Sequence, residues 1–322
     1  MKKTYLVTGG SGFIGSALVK RLVLEGFNVK VLDNNSRGNA RRIIKVIDDI
    51  EFIEGDIRDF NVVNEACKNV NCVCHLAYVN GTQFFYSKPE LVLDVAVKGM
   101  INIIDACKQN NIDDLVVASS SEVYQSPTII PTPENVPLIV PDVFNPRYSY
   151  GGGKILCELM ALNYGKKDFE RVTIFRPHNV YGPDMGWEHV IPEFALRMAK
   201  FLNKNNEKNE FIIKGDGNQT RAFIYIDDFI EGLLSVIKKA EHLSIYHIGT
   251  KDEITIKELA KKISSIVNVD INISTSEAPK GETNRRCPDI SKLQKLSFEP
   301  KINIEQGLKK TIPWYFDNLN LR

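Results

Sequence analysis

The chain has 322 residues, of which 43% are hydrophobic and 25% charged, and a net charge of +1. That length buries a full core in one large or two modest domains. The balanced charge argues against a nucleic-acid or membrane-surface partner. No stretch reads as long and apolar enough to span a membrane. Six cysteines (67, 72, 74, 107, 157 and 287) show no paired metal spacing, so no metal is expected and they read as reduced, buried thiols. A strand entered by Thr4 leaves no room for a signal peptide, so a cytoplasmic protein is expected.

In chain order, Tyr5–Thr8 reads as a strand running into a glycine turn, and Ser16–Glu25 as a helix with Ala17, Leu18, Leu22 and Val23 on one face. Further strands are expected at Asn28–Leu32, Glu51–Asp56, Cys72–Ala77, Leu115–Ser119 and Val172–Arg176. Helical patterns fall near 59–69, 90–110 and 150–165. This alternation predicts an α/β fold, a doubly wound parallel sheet of Rossmann type covered on both faces. Prolines 127, 131, 133, 137, 141 and 146 mark an extended loop or lid, and Asn203–Asn209 a polar turn. After Arg176 the pattern loosens, though Ser244–Ile248 reads as a segment returning to the sheet. The expectation is a dinucleotide domain over 1–179 with interleaved later segments, and a smaller C-terminal α/β lobe over 180–322.

Gly9, Gly12 and Gly15 lie between the first strand and helix, the context in which G-x-x-G-x-x-G carries meaning. Glycine there permits a tight turn, close approach of a pyrophosphate to the backbone, and close helix–strand packing. The helix N-terminus then faces the phosphates with open N–H groups. Asp33 follows eighteen residues after Gly15 and suits ribose hydroxyls, favouring NAD over NADP, while Arg37 nearby leaves a 2′-phosphate open. Asp56 is placed to meet an adenine amine.

Tyr150 and Lys154 are four residues apart, on one face of a helix. A lysine ammonium and an oxidised nicotinamide would lower a tyrosine pKa from ~10 toward the working range of a base. Ser120, at the carboxyl end of the fifth strand, can bridge Tyr150 and a substrate oxygen. Three glycines between Tyr150 and Lys154 are costly for a helix, at roughly 1 kcal/mol each. They imply a close neighbour, either cofactor or partner helix.

At this point the chain resembles the extended short-chain dehydrogenase/reductases, specifically the nucleotide-sugar epimerase/dehydratase family, over nearly its whole length. The matching segments are TGGSGFIG from Thr8, LDNNSRGN from Leu32, GDIRD from Gly55, HLA from His75 and SSSEVY from Ser119. They continue with YSYGGGK from Tyr148, RPHNVYGP from Arg176, GDGNQTRAFIYIDD from Gly215 and PDISK from Pro288. The resemblance implies Ser120, Tyr150 and Lys154 as a catalytic triad. It implies Gly9, Gly12, Phe13, Ile14, Gly15, Asp33, Asn34, Asp56, Ile57 and Ala77, together with Tyr150 and Lys154, as NAD contacts. Ser121, Asn179 and Arg221 are implied on the substrate, Asn179 at its diphosphate and Arg221 at its diphosphate or ribose.

The substrate implied is a nucleoside-diphosphate sugar, oxidised at C4. The ketone is then reduced from the opposite face, dehydrated, or released, the last making a net dehydrogenase, for example on a GDP-linked heptose. A non-catalytic dinucleotide sensor is the remote alternative. Glu122 is the branch point: in the family's dehydratases and UDP-glucuronate decarboxylases a Thr-Ser-Glu or Thr-Asp-Glu run stands where this chain has Ser-Ser-Glu, and a glutamate there can take the C5 proton. It could equally order the loop. Decarboxylation ranks lower because no dedicated carboxylate-binding residue is identified. Ala96, Met100 and Gln125 depart from the family pattern. His178 reads as a pocket wall or a proton-transfer group, and His75 as structural. Val97, Ile101, Ile104, Ile155, Leu159 and Leu162 imply a homodimer through paired helices, or burial within one chain.

Overall fold

The computed structural model describes residues 2–202, 209–277 and 283–321. Its centre is a seven-stranded, all-parallel sheet. In chain order the strands are β1 (Thr4–Thr8), β2 (Asn28–Asp33), β3 (Ile50–Glu54), β4 (Cys72–His75), β5 (Asp114–Ala118), β6 (Arg171–Pro177) and the strand Ser244–Ile248. The last of these lies at one edge beside β6, and β3 at the other. Apolar runs such as Tyr5-Leu6-Val7 and Leu115-Val116-Val117 are buried on both faces, as parallel strands under two helical layers require. Alternate residues divide the core. Val7, Val31, Cys74, Val116 and Phe175 join α1 (Phe13–Leu24) and the helix Ile226–Lys239. Leu6, Leu32, Val73, Leu115 and Ile174 join α2 (Phe60–Ala66), α4 (Pro89–Gln109) and α5 (Ser149–Asp168). A short helix, α3 (Thr82–Ser87), precedes α4.

From β1 the chain winds outward to β2 and β3, then crosses back to β4, β5 and β6. This switch of direction opens a crevice at the carboxyl ends of β1 and β4, where open parallel sheets take ligands. Later segments build smaller sheets above it. Thr220–Ala222 lies between antiparallel Glu253–Thr255 and parallel Arg285–Arg286, and Glu210–Lys214 pairs with Asn272–Ser276.

The third strand ends at Glu54 rather than Asp56. Gly55 N–H bonds to Asp33 O, and the Asp56 carboxylate accepts Arg58 N–H, which turns the chain out of the sheet. The proline-marked stretch is irregular and strapped to the molecule, with Thr132 exchanging backbone bonds with Cys287 and Asp289. The polar turn expected over 203–209 lies, Asn209 apart, outside the described residues. All six cysteines are free and buried. Among the described residues no helix is long and apolar enough to cross a membrane.

Candidate active site

The turn after β1 is built around glycine because nothing larger fits. A Cβ on Gly15 would lie 2.0 Å from Gly9 O, and one on Gly9, at φ +72°, would lie 2.8 Å from the Ala77 backbone. Gly12 caps α1 in extended geometry. The amides of Phe13, Ile14 and Gly15 occupy the first turn, where no intrahelical acceptor exists. The Phe13 side chain turns the other way, toward Gly182. Asp33 ties this turn to the end of β2, one oxygen accepting Ser11 N–H and the other Asn35 N–H, both at 2.9 Å.

A cavity of about 220 Å³ runs along these strand ends, lined by Gly9, Gly12, Asp33, Asp56, Ile57 and Ala77 among others. Asn34 also lines it and donates to Asp56. Hydrogen bonds and charge from Arg58 hold the Asp56 carboxyl down at about 2. Asp56 already accepts from Asn34 Nδ2 and from Arg58 N, Nε and Nη2. It would therefore meet an adenine amine only in exchange for one of these. Arg37 is engaged by Glu188 at 2.9 Å and lies over the Phe84 ring. The cradle, the open helix terminus and the carboxylate at the end of β2 fit a dinucleotide.

Tyr150 and Lys154 stand on the first turns of α5 and are both buried. The Tyr150 ring stacks on Phe85 at 4.8 Å and meets Tyr78 edge-on at 5.2 Å. Ser120 bears on its hydroxyl. Burial pushes Tyr150 up to about 12, and Ser120 offsets only part of that. Burial also pushes Lys154 down to about 8. Its ammonium donates to Ala118 O at 2.7 Å and sits 3.8 Å from the centre of the Tyr78 ring. The lowering of Tyr150 expected from Lys154 is therefore not the dominant effect here: desolvation wins, and Lys154 turns to a carbonyl.

Two glycines of the Gly151–Gly153 run are explained by neighbours in the same chain. A Cβ on Gly151 would meet Gln125 Nε2 at 2.7 Å, and one on Gly153 would meet Tyr78 Oη at 2.3 Å. Gly152 has no contact closer than Val140 at 3.5 Å. Neither the cofactor nor a partner helix is needed to account for Gly151 and Gly153. Gln125 adopts φ +53° and donates to Glu122 O, which shapes the turn after Ser121–Tyr124.

Ser120 caps that turn, its Oγ accepting Glu122 N–H at 3.1 Å, and Ser121 is buried beside it. Glu122 receives Arg286 Nη1 at 2.6 Å. Burial raises the Glu122 carboxyl, but Arg286 first, then Arg147 and Arg221, turn the net shift downward. Glu122 is thus an ionised carboxylate with three guanidiniums bearing on it. Arg286 and Arg221 are neighbours in parallel register on adjacent strands. Arg221 also donates to Thr220 O. Asn179, at φ +41°, donates from its side chain to Ala222 O and fixes the turn after β6 to the same small sheet.

Beneath the site lies a buried polar network. Arg176 bonds to Glu158, Tyr124 and Glu134 O, Ser119 donates to Glu158, and Tyr124 bonds to His247. His178 packs edge-on against His247 at 4.6 Å, with neither ring nitrogen hydrogen-bonded. Burial holds it neutral, which fits a wall better than a proton carrier. Thr8 Oγ1 accepts Leu76 and Ala77 N–H, so its own hydrogen points to His75 Nδ1, 2.8 Å away. His75 is a latch between β1 and β4. Sequence reasoning missed Tyr78, Phe85, Glu158, Arg176 and Arg286. Of these only Glu158, one turn beyond Lys154 on a buried helix face, carried a local signal.

A doubly wound sheet with a glycine cradle at its switch point and a buried Ser–Tyr–Lys group defines a dinucleotide-dependent oxidoreductase of the short-chain type. The family model described as NAD dependent epimerase/dehydratase family matches residues 5–249, and the chain belongs to that family. It is 33% identical over 328 residues to a UDP-N-acetyl-alpha-D-glucosaminuronate decarboxylase of Bacillus cytotoxicus, covering 98% of each chain. It is 32% identical to a putative UDP-glucose 4-epimerase of Methanocaldococcus jannaschii, covering 97% of this chain and 98% of that protein. Among solved structures, a dTDP-glucose 4,6-dehydratase double mutant of Streptomyces venezuelae with NAD bound superposes with a TM-score of 0.88 at 26% identity, covering 98% of both chains.

Proposed function

We propose that this protein oxidises C4 of a nucleoside-diphosphate hexuronic acid and then releases its C6 carboxylate as carbon dioxide. The observation that carries this reading is the Arg286–Glu122 ion pair beside Tyr150. A simple 4-epimerase leaves that pair without a task. Loss of water would need an acid for the departing C6 hydroxyl. Ser121 stands between Ser120 and Glu122, and a serine hydroxyl is too weakly acidic for that role. Arg286 supplies the carboxylate-binding residue that the sequence alone did not reveal, and it lies 164 positions from Glu122. Three guanidiniums against one carboxylate suit a substrate carrying both a diphosphate and a uronate. The decarboxylase relative in Bacillus cytotoxicus acts in the same sense.

In this reading the backbone of Gly9–Gly15, with Asp33, Asn34 and Ile57, holds NAD, and Ala77 lines its channel. Asp56 stands at the adenine end. NAD, when bound, supplies the acceptor for the C4 hydride and a positive charge near Tyr150. Tyr150 takes the C4 hydroxyl proton, with Ser120 bridging it to the substrate oxygen. The resulting C4 ketone makes C6 a β-keto carboxylate. Arg286 holds that carboxylate, and Glu122 and Ser121 orient it. The C5–C6 bond breaks, its electron pair passes to the C4 oxygen as an enolate, and C5 takes a proton. Asn179 and Arg221 bind the diphosphate. Residues 1–179, with the helix Ile226–Lys239 and the strand Ser244–Ile248, then act as the NAD domain, and the rest of 180–322 as the nucleotide-sugar lobe.

We also place a homodimer contact on α4 and α5. Ile101 and Leu159 are 40% and 53% exposed there, whereas Ile104 is buried and Ile155 packs on the chain's own Val123–Val136 cluster. A solution mass equal to one chain would remove the dimer. For the reaction, the protein is incubated with NAD and a panel of nucleotide-linked hexoses and hexuronic acids in deuterated water, and products are read by mass. Carbon dioxide with deuterium at C5 is expected from a uronic acid. Loss of water from a neutral hexose, or an isobaric product without deuterium, would overturn the decarboxylase reading.

A further inference from the structure

Tyr78 touches both members of the proton-transfer pair, yet it belongs to no motif. Its ring face lies 3.8 Å from the Lys154 ammonium and its ring stands edge-on to Tyr150 at 5.2 Å. Its hydroxyl reaches across α5 to Tyr150 O, and it occupies the space a Cβ on Gly153 would fill, 2.3 Å away. Phe85 also stacks on the Tyr150 ring. Tyr150 thus meets two aromatic rings, and one of them also carries the lysine.

We propose that Tyr78 is a positioning residue: its π-face holds the Lys154 ammonium, its edge fixes the Tyr150 ring, and Gly153 is glycine so that the phenol can lie across the helix. This rests on the reading of Tyr150 and Lys154 as the proton-transfer pair. A desolvated ammonium over an aromatic face is favoured over the neutral amine by the ring quadrupole. The ring therefore works against burial, which pulls Lys154 toward neutrality.

Of the other groups facing Lys154, only the Glu158 carboxylate also favours the ammonium by charge, and it is already engaged. From β5 comes the Ala118 carbonyl, an acceptor but not a charge. From β4 comes His75, held neutral by burial. On α5 itself, burial keeps Cys157 protonated, and Glu158 is engaged by Arg176 and Ser119.

The test replaces the ring while keeping apolar bulk. Lys154 ionisation is read in the protein without cofactor by NMR of isotope-labelled lysine, assigned with Lys154→Met. The alkaline limb of kcat/KM is read beside it. In wild type the Lys154 value, pushed down by burial, is expected at about 8. Tyr78→Leu is expected to lower the Lys154 value and the alkaline limb by about one pH unit, which converts to about 1.4 kcal/mol. Tyr78→Phe, which keeps the π-face, is expected to leave both in place. Should Tyr78→Leu fail to fold, Gly153→Ala carries the test by pushing the phenol off the lysine, with a fall in the same direction. A Lys154 titration in Tyr78→Leu or Gly153→Ala that coincides with wild type overturns the proposal, and so does an equal fall in Tyr78→Phe. Tyr150→Phe separates the two levels. Full turnover in that variant overturns the proton-transfer reading itself. Its loss of turnover, beside an unmoved Lys154 in Tyr78→Leu, sinks only the role of Tyr78.

Discussion

Replacing Glu158 by glutamine should cost this protein much of its stability and some of its activity. Arg176 and Glu158 are 2% and 3% exposed at their side chains. The guanidinium makes paired bonds to the carboxylate, Nε to Oε1 at 2.8 Å and Nη2 to Oε2 at 2.5 Å. Glutamine keeps the shape and one acceptor oxygen but turns the other contact into an N–H facing an N–H. Arg176 keeps Tyr124 and Glu134 O, so its charge is left short of a counter-ion rather than of every partner. Breaking one side of a buried pair costs ~3–5 kcal/mol, and the retained acceptor argues for the lower end, about 3 kcal/mol. Guanidinium denaturation followed by circular dichroism measures this. Arg176→Gln and the double variant complete a cycle, in which the double loss should fall short of the sum of the single losses. A loss below about 1 kcal/mol in Glu158→Gln, or strict additivity, would refute the view that this pair anchors α5 to β6. Because Ser119 donates to Glu158 and precedes Ser120, kcat should fall too, without a matching rise in KM.

Three further outcomes follow from the geometry. Gly15→Ala places a Cβ 2.0 Å from Gly9 O and should abolish NAD binding measured by calorimetry; retained affinity would mean the cradle is not the pyrophosphate site. Arg286→Met should slow carbon dioxide release by about a hundredfold or more while NADH still appears from the uronic acid substrate; equal loss of both would return Arg286 to general substrate binding. Burial pushes His75 down to about 3 in the folded chain, whereas an unfolded histidine titrates near ~6.5. Below that value the unfolded chain binds a proton that the folded chain refuses, so stability falls as pH drops from about 6.5 toward 3, by up to about 1.4 kcal/mol per pH unit. His75→Asn keeps an acceptor for Thr8 and should flatten that slope by one proton, measured by denaturation at a series of pH values. An unchanged slope would mean His75 is charged in the folded state.

The sheet was legible because each of its strands is a short apolar run bounded by turn residues, and the alternation with helices leaves few topologies open. The sequence reading expected all seven strands within a few residues, including Ser244–Ile248 returning to the sheet. What periodicity could not place was the end of β3. Asp56 looks like the last residue of a strand until its carboxylate is seen holding Arg58, a contact that competes with the ladder.

The chemistry divides along the same line between local and distant contacts. The glycine cradle and the Tyr150–Lys154 spacing are contained in one turn and one helix, so the residue types announce themselves. Arg286 and Tyr78 do not, because each gains its meaning from a partner far along the chain. The glycines of α5 show how the two are joined. In the sequence they are an unexplained cost to a helix. In the structure Gly151 and Gly153 are the two places where Gln125 and Tyr78 press on α5 from outside, so the cost at each answers to a named side chain. Gly152, with no such neighbour, is the one for which nothing in the structure gives a reason. An alanine there should therefore gain helix stability of about 1 kcal/mol without touching turnover, while an alanine at either flanking glycine should disturb the site.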